Sequence, residues 1–300
     1  MQSKKLYVLQ ALPKGRVIEI SLDTGDVHIV IDDMDSHPDG IAIDKAAGRI
    51  YWTNMGVVKE QESLEFFQAD GSLETCLLDG SARQTILGNG LFVTGKQLLH
   101  DAETQSLYWC DREGMRVFRV DQDGKNIQVL VQRGLFPRDS RDYTRHCVGI
   151  ALDKKNDMLY WTEKGPSKGG QGKILRAGLT LPENQRADNR QDIEVVMANL
   201  PEPIDLELDA KNNIMYWTDR GDSKRGGNTL NCADISNGKF INHRILAAGL
   251  DEGIALALDE DNRAIYLTDL GGNIYKHQLD NPGSLEKLFT FGPLTGLAIV

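Results

Sequence analysis

What the chain does not have narrows its function before any motif is considered. It has no basic excess. Across 300 residues, 34 Lys and Arg stand against 44 Asp and Glu, a formal net charge of -10. A phosphate backbone or an anionic membrane surface is gripped through a cationic face, so neither nucleic acid nor membrane is an expected partner. The N-terminus, "MQSKKLYVLQALPKG", contains no apolar run long enough for a signal peptide or a transmembrane helix. No Asn-x-Ser/Thr sequon occurs. The four cysteines, Cys76, Cys110, Cys147 and Cys232, show no C-x-x-C spacing, so free buried thiols are expected rather than disulfides or zinc. Together these absences lead to an expected cytoplasmic location.

Familiar catalytic signatures are missing as well. "GPSKGGQGK" at 165–173 has Gly and Lys without the P-loop spacing. "DQDGKN" at 121–126 lacks the distal ligands of a calcium loop and reads as a β-turn. No G-x-S-x-G occurs, and no Cys-His pairing has a supporting context.

What is present is a repeat. "RIYWTN" at 49–54 recurs as "SLYWCD" at 106–111, "MLYWTE" at 158–163, "IMYWTD" at 214–219 and "AIYLTD" at 264–269. The tyrosines, Tyr51, Tyr108, Tyr160, Tyr216 and Tyr266, are 57, 52, 56 and 50 residues apart. A period near fifty in a chain of short alternating runs means propeller blades. Each unit opens on a strand of small apolar residues ending in Asp, such as "GIAID" at 40–44 or "ALALD" at 255–259. The Tyr-Trp strand and two more follow. Small side chains suit the crowded axis, and aromatic ones fill the wedge between blades. Asp44, Asp101, Asp153, Asp209 and Asp259 are expected to anchor turns. The chain ends on a lone first strand, "GLAIV" at 296–300, and begins with "KLYVLQ" at 5–10, "RVIEI" at 16–20 and "VHIVI" at 27–31. Pairing the last strand with these three closes a ring. The expected fold is an all-β, six-bladed propeller of four-stranded blades, in a single domain covering 1–300.

These repeats resemble the YWTD repeats of the low-density-lipoprotein-receptor-type six-bladed β-propellers over essentially the whole chain. The pattern departs from the family at Val8-Leu9, Cys110 and Leu267, and the cysteine-rich modules that flank such propellers in receptors are not in this sequence. The resemblance implies partner proteins bound through one face of the ring.

Function is expected where the repeats differ. The insertions 55–72, 133–147, 164–172 and 220–227 belong to the face where first strands begin and second strands end, and only 180–192 belongs to the other. Counting back three residues from the start of each first strand gives His37, Thr94, His146, Glu202, Glu252 and Pro293. If these converge on the channel mouth, His37, His146, Glu202 and Glu252 suit one divalent metal ion or general acid–base catalysis. Glu207 joins the catalytic candidates, because the same slot is Ala42, Leu99, Ala151, Ala257 or Ala298 elsewhere. Asp39, Asp205, Arg138, Arg141 and Tyr143 are candidates for holding a small organic substrate. His100 is expected to pack off the axis. Where Arg112, Lys164 and Arg220 follow the motif, its last residue is expected to pair with them between blades.

Two functions follow. One is a small-molecule-binding propeller, an enzyme catalysing a hydrolase, lyase or isomerase step at the mouth on the long-loop face. The other is a protein-binding module using the same face, with Phe66, Phe67 and Phe136 as anchors and a basic partner favoured by the net charge.

Overall fold

Alternation of Tyr and Trp along the repeated strand sets how the blades stack. The computed structural model describes residues 4–57, 66–281 and 283–300. These form six four-stranded antiparallel sheets. Blade 1 pairs the C-terminal strand Leu294–Ile299 with Lys5–Gln10, Gly15–Ser21 and Val27–Met34, which closes the ring as expected. Blades 2 to 6 open on inner strands Pro38–Asp44, Gly95–Asp101, Cys147–Asp153, Pro203–Asp209 and Gly253–Asp259. Their second strands are Arg49–Asn54, Ser106–Asp111, Met158–Glu163, Ile214–Asp219 and Ala264–Asp269.

Neighbouring residues of a strand face opposite sides of its sheet, so Tyr and Trp of one motif enter different seams. Trp52 of blade 2 packs with Tyr7 of blade 1. Trp109 packs with Tyr51, Trp161 with Tyr108, and Trp217 with Tyr160. The two remaining seams are lighter: Leu267 meets Tyr216, and Val8 meets Tyr266. All four tryptophans are fully buried. Each contributes a few kcal/mol, about what burial of a large apolar side chain yields. The register places the slot residue opposite each tyrosine, as in Ala42↔Tyr51, Ala151↔Tyr160 and Glu207↔Tyr216.

The threonine of the motif has a task that its composition alone did not announce. Thr53 Oγ1 donates to Lys96 O at 2.7 Å, Thr162 to Ile204 O at 2.9 Å, Thr218 to Ile254 O at 2.5 Å and Thr268 to Thr295 O at 2.6 Å. Each bond runs to the inner strand of the next blade. The same hydroxyls accept from Gly40, Gly149, Asp205 and Ala255 N–H within their own blades. Where the motif carries cysteine, Cys110 Sγ reaches Gly149 O at 3.4 Å. Where blade 1 carries Leu9, Thr295 on the adjacent inner strand supplies the hydroxyl instead and donates to Pro38 O at 2.9 Å. All six seams are thus bridged.

The turn aspartates behave as expected. Asp44, Asp153, Asp209 and Asp259 accept from the backbone N–H three residues on, and Asp101 from that of Glu103. The four cysteines are buried and free. "DQDGKN" forms the expected turn, with Gly124 N–H donating to Asp121 O.

Thr162→Val removes one hydroxyl without changing shape and leaves Gly149 N–H and Ile204 C=O unpaired in the core. Urea unfolding is expected to show a loss of about 1–3 kcal/mol, with Thr162→Ser retaining most of it. Equal stability of the two variants would contradict the bridging role.

Candidate functional site

The six residues three before the inner strands occupy equivalent places. The carbonyls of His37, Thr94, His146, Glu202, Glu252 and Pro293 each accept from the backbone N–H just past the second strand: Met55, Arg112, Lys164, Arg220, Leu270 and Ala11. The register is as expected, but the side chains do not converge. Among the described residues, no three His, Cys, Asp or Glu side chains are grouped so as to hold a metal ion. His37, His146, Glu202 and Glu252 are therefore not gathered as ligands of one metal ion, although Glu202 and Glu252 share Arg220.

The reason lies in the bases that follow the motif. Glu202 is fully buried between Lys164 Nζ at 3.2 Å and Arg220 Nη2 at 2.5 Å. Arg220 Nε also reaches Glu252 Oε2 at 3.2 Å. Burial pushes the Glu202 carboxyl up, but Arg220 and Lys164 together outweigh it and hold it below the usual range. Burial lowers the Lys164 ammonium to about 8. His146 Nε2 lies 2.7 Å from Ser140 O, and burial pushes its pKa down. His37 sits edge-on to Phe66 at 5.6 Å and is likewise lowered by burial. Lys164 and Arg220 do cross between blades, to Glu202 and Glu252, whereas Arg112 pairs with the adjacent Glu113. The last motif residues bind elsewhere: Asp111 accepts from Val93, Thr94 and Arg116, and Asp219 from Glu202 N–H. Glu163 alone pairs across a seam, with Arg133 at 2.5 Å.

The substrate-holding candidates are separated too. Arg138 is exposed and paired with Asp139 at 2.7 Å. Arg141 lies over the Phe67 ring at 4.5 Å, and Tyr143 lies 5.1 Å from His146 and 5.8 Å from Lys164 Nζ. Phe66 is buried beneath Arg112 and is no surface anchor, whereas Phe67 and Phe136 are half-buried. Part of the 55–72 insertion, residues 58–65, lies outside the described residues.

Two residues beyond the ring, Asp39, Lys96, Val148, Ile204, Ile254 and Thr295 occupy one level of the six inner strands, and all are buried. Val148, Ile204 and Ile254 touch across the axis. Asp39 and Lys96 form an ion pair beside them. Burial lowers the Lys96 ammonium, with Asp39 opposing. This layer closes the channel toward the long loops.

Below it lies a cavity of about 250 Å³, lined by Ile41–Ile43, 97–100, Ile150, 205–207, 256–258 and 297–299. Glu207 and Asp205 are on its wall. Asp205 accepts from Leu206 and Leu256 N–H, and burial pushes its carboxyl well up. Burial, with Glu260 nearby, raises Glu207 to about 8. His100 lines the cavity, while its side chain is buried, stacks on Tyr51 at 5.7 Å and lies beside Asp44, as expected for a packed histidine off the axis. Asp39 therefore lies in the closing layer itself and Asp205 just below it.

Sequence reasoning missed Lys96, Gln97 and Glu113. Continuing the inner-strand alignment by two positions would have exposed a lysine among Val, Ile and Thr. Glu113 is buried, binds Arg112 Nε at 2.7 Å and acts electrostatically on both His146 and Lys96.

No family model matches the chain. A Pyricularia oryzae protein named low-density lipoprotein receptor-related protein 1 is 38% identical over 316 residues, covering 99% of this chain and 98% of that protein. A Cochliobolus heterostrophus protein named 3-hydroxyacyl-CoA dehydrogenase-like protein LAM1 is 34% identical over 289 residues, covering 93% of this chain but 59% of that protein. Among solved structures, a chain of a nidogen/laminin complex superposes with a TM-score of 0.72 at 19% identity, covering 99% of this chain and 98% of that one. A gluconolactonase from Xanthomonas campestris gives 0.66 at 14% identity, covering 96% and 89%. At these identities the structural likeness speaks for the fold alone.

Glu202→Gln leaves Lys164 and Arg220 facing each other without an anion between them. A loss of about 3–5 kcal/mol is expected in urea unfolding. Because the folded carboxyl is held down, its stabilisation is present above the ordinary Glu value of 4.5 and is lost as pH falls through the lower folded value. The gap between wild type and variant should therefore close on acidification. A gap independent of pH would contradict the charge-pair account.

Proposed function

This chain belongs to the family of the Pyricularia oryzae low-density lipoprotein receptor-related protein 1, and from that premise we propose that it is a protein-binding propeller that takes its partner on the long-loop face. The cap over that face carries the reading. Thr94 Oγ1 of blade 3 donates to Phe66 O, and Phe67 lies beneath Arg141 of the blade 4 loop, so loops of three blades are locked together. Val57, Leu91 and Leu135 are exposed on the same side. Fixed aromatic and arginine side chains beside small apolar patches are the usual anchors of a protein interface.

The charge of three loops of this face differs from that of the whole chain, while the 55–72 loop on the same face is acidic, with four Asp and Glu against one Lys. Loops 133–146, 164–172 and 220–227 hold nine Lys and Arg against three Asp, although the chain carries a net -10. Partner choice follows the local field rather than the net charge, so these three loops favour an acidic surface on the partner. Lys168, Lys224 and Arg225 are exposed at the tips of two neighbouring loops.

The enzyme reading, a hydrolase, lyase or isomerase step on a small organic substrate at the same mouth, has less support. Glu202 and Glu252 are engaged by Arg220, His146 is turned toward Ser140 O, and the channel is closed beneath them.

The test compares immobilised wild type with Lys168→Glu/Lys224→Glu/Arg225→Glu, and with Lys45→Glu/Lys155→Glu/Lys239→Glu as a control of equal charge change away from the loops. Proteins retained from source-cell extract are quantified at low and high salt. The expected outcome is a partner held by wild type and control, lost by at least tenfold in the loop variant, and released by salt. Retention of the same proteins by all three chains would overturn the proposal.

A further inference from the structure

The channel below the closing layer is a separate feature from the loop face. We propose that it is a binding site for a small organic cation, an aliphatic primary amine, which enters from the face opposite the long loops and pairs its ammonium with Glu207.

Access follows from the fold. The level of Asp39, Lys96, Val148, Ile204, Ile254 and Thr295 is buried and shuts the channel on the loop side. At the other end, Leu99, His100, Leu206 and Glu207 are shared with an adjoining cavity of about 210 Å³. That second cavity reaches Asp101, Ala102 and Lys154 in the turns after the inner strands. The inner cavity therefore communicates outward on the turn face.

The chemistry follows from what lines it. Two carboxyl groups, Asp205 and Glu207, face a space whose described lining contains no Lys or Arg. Asp205 and Glu207 repel each other, and Glu260 adds to the negative field at Glu207. Lys154 stands at the outer rim, but its ammonium is already held by Asp101 at 2.7 Å and Glu103 at 2.5 Å. Clustered buried carboxyls without a counter-ion favour a bound cation, which removes both the repulsion and the desolvation penalty. Gln97 is 6% exposed and its Nε2 has no hydrogen-bond partner among the described residues. Its amide can turn either its oxygen or its nitrogen toward a ligand. The remaining walls are largely aliphatic and suit methylene groups.

The Glu207 carboxyl accepts from the Leu258 backbone N–H, but the fold does not require an acid in this slot. The equivalent slots hold Ala42, Leu99, Ala151, Ala257 and Ala298, each opposite an aromatic or similar strand partner, and a buried acid costs stability that alanine would not. The cavity of about 250 Å³ has room for an ammonium with a short alkyl chain. On pairing, the ammonium arrives charged and the Glu207 carboxyl releases its proton to solvent. The charged groups around that carboxyl are Asp205 and Glu260, the Leu258 backbone N–H donates to it, and Lys154 and Asp101 stand at the rim.

The experiment is isothermal titration of the full chain with n-butylamine, n-pentylamine and n-hexylamine, and with the alcohols of the same length. Each is run in two buffers of different ionisation enthalpy. Saturable 1:1 binding of an amine is expected, at least tenfold tighter than its alcohol, with a heat that depends on the buffer because a proton is released. Glu207→Gln should weaken the amine at least tenfold and leave the alcohol unchanged. Ala257→Leu, which fills the cavity without touching the carboxyl, should abolish both and serves if Glu207→Gln does not fold. No saturable amine binding, or amine binding indifferent to both variants, would overturn the site.

Discussion

The structure depends on one interlock: the tyrosine of each blade meets the next blade's residue at the tryptophan position, which is tryptophan in four of the six seams. Because the two residues are adjacent on a strand, they must enter opposite seams, and every blade is thereby keyed to both neighbours. A blade cannot be removed or shifted by one residue without sending both aromatic rings to the wrong side. Two seams use a smaller key, Leu267 and Val8, and both flank blade 6, beside the point where the ends of the chain meet. The motif threonines then tie the same seams at backbone level, so aromatic packing and polar bridging act on one boundary.

That rigidity explains why the mouth is a poor place for free catalytic groups. Wedge-shaped blades bring their entry segments close, and the bases after the motif fall between the acids before the next inner strand. Lys164 and Arg220 occupy the space that a metal ion or substrate would need around Glu202. A buried carboxylate with two such partners is a strut. The loops above it are then free to vary, and in blades 4 and 5 they have become cationic while the rest of the chain stays acidic.

Much of the ring was legible in the sequence. The period, the Tyr-Trp strand, the small inner strand with its terminal Asp and the return of the last strand to the first blade all rest on backbone geometry that side-chain pattern reports directly. Even the alignment of His37, His146, Glu202 and Glu252 was right at the level of their carbonyls. The direction of their side chains was not readable, because the inner strands of blades 2 to 6 pair irregularly over their first residues. A bulge breaks the two-residue alternation on which facing is judged. The cavity was hidden for a different reason. Val148, Ile204 and Ile254 look like ordinary strand residues, and only their meeting on the axis closes one end of the channel and leaves the other open.

The central claim is that the long-loop face is where this propeller meets another protein. Its most direct test is a photo-reactive side chain introduced in living source cells at position 141 or 224 on that face, or at position 239 on the outer edge of blade 5. The account predicts a discrete protein adduct from positions 141 and 224 and none from 239. Adducts from position 239 alone, or from no position, would contradict it.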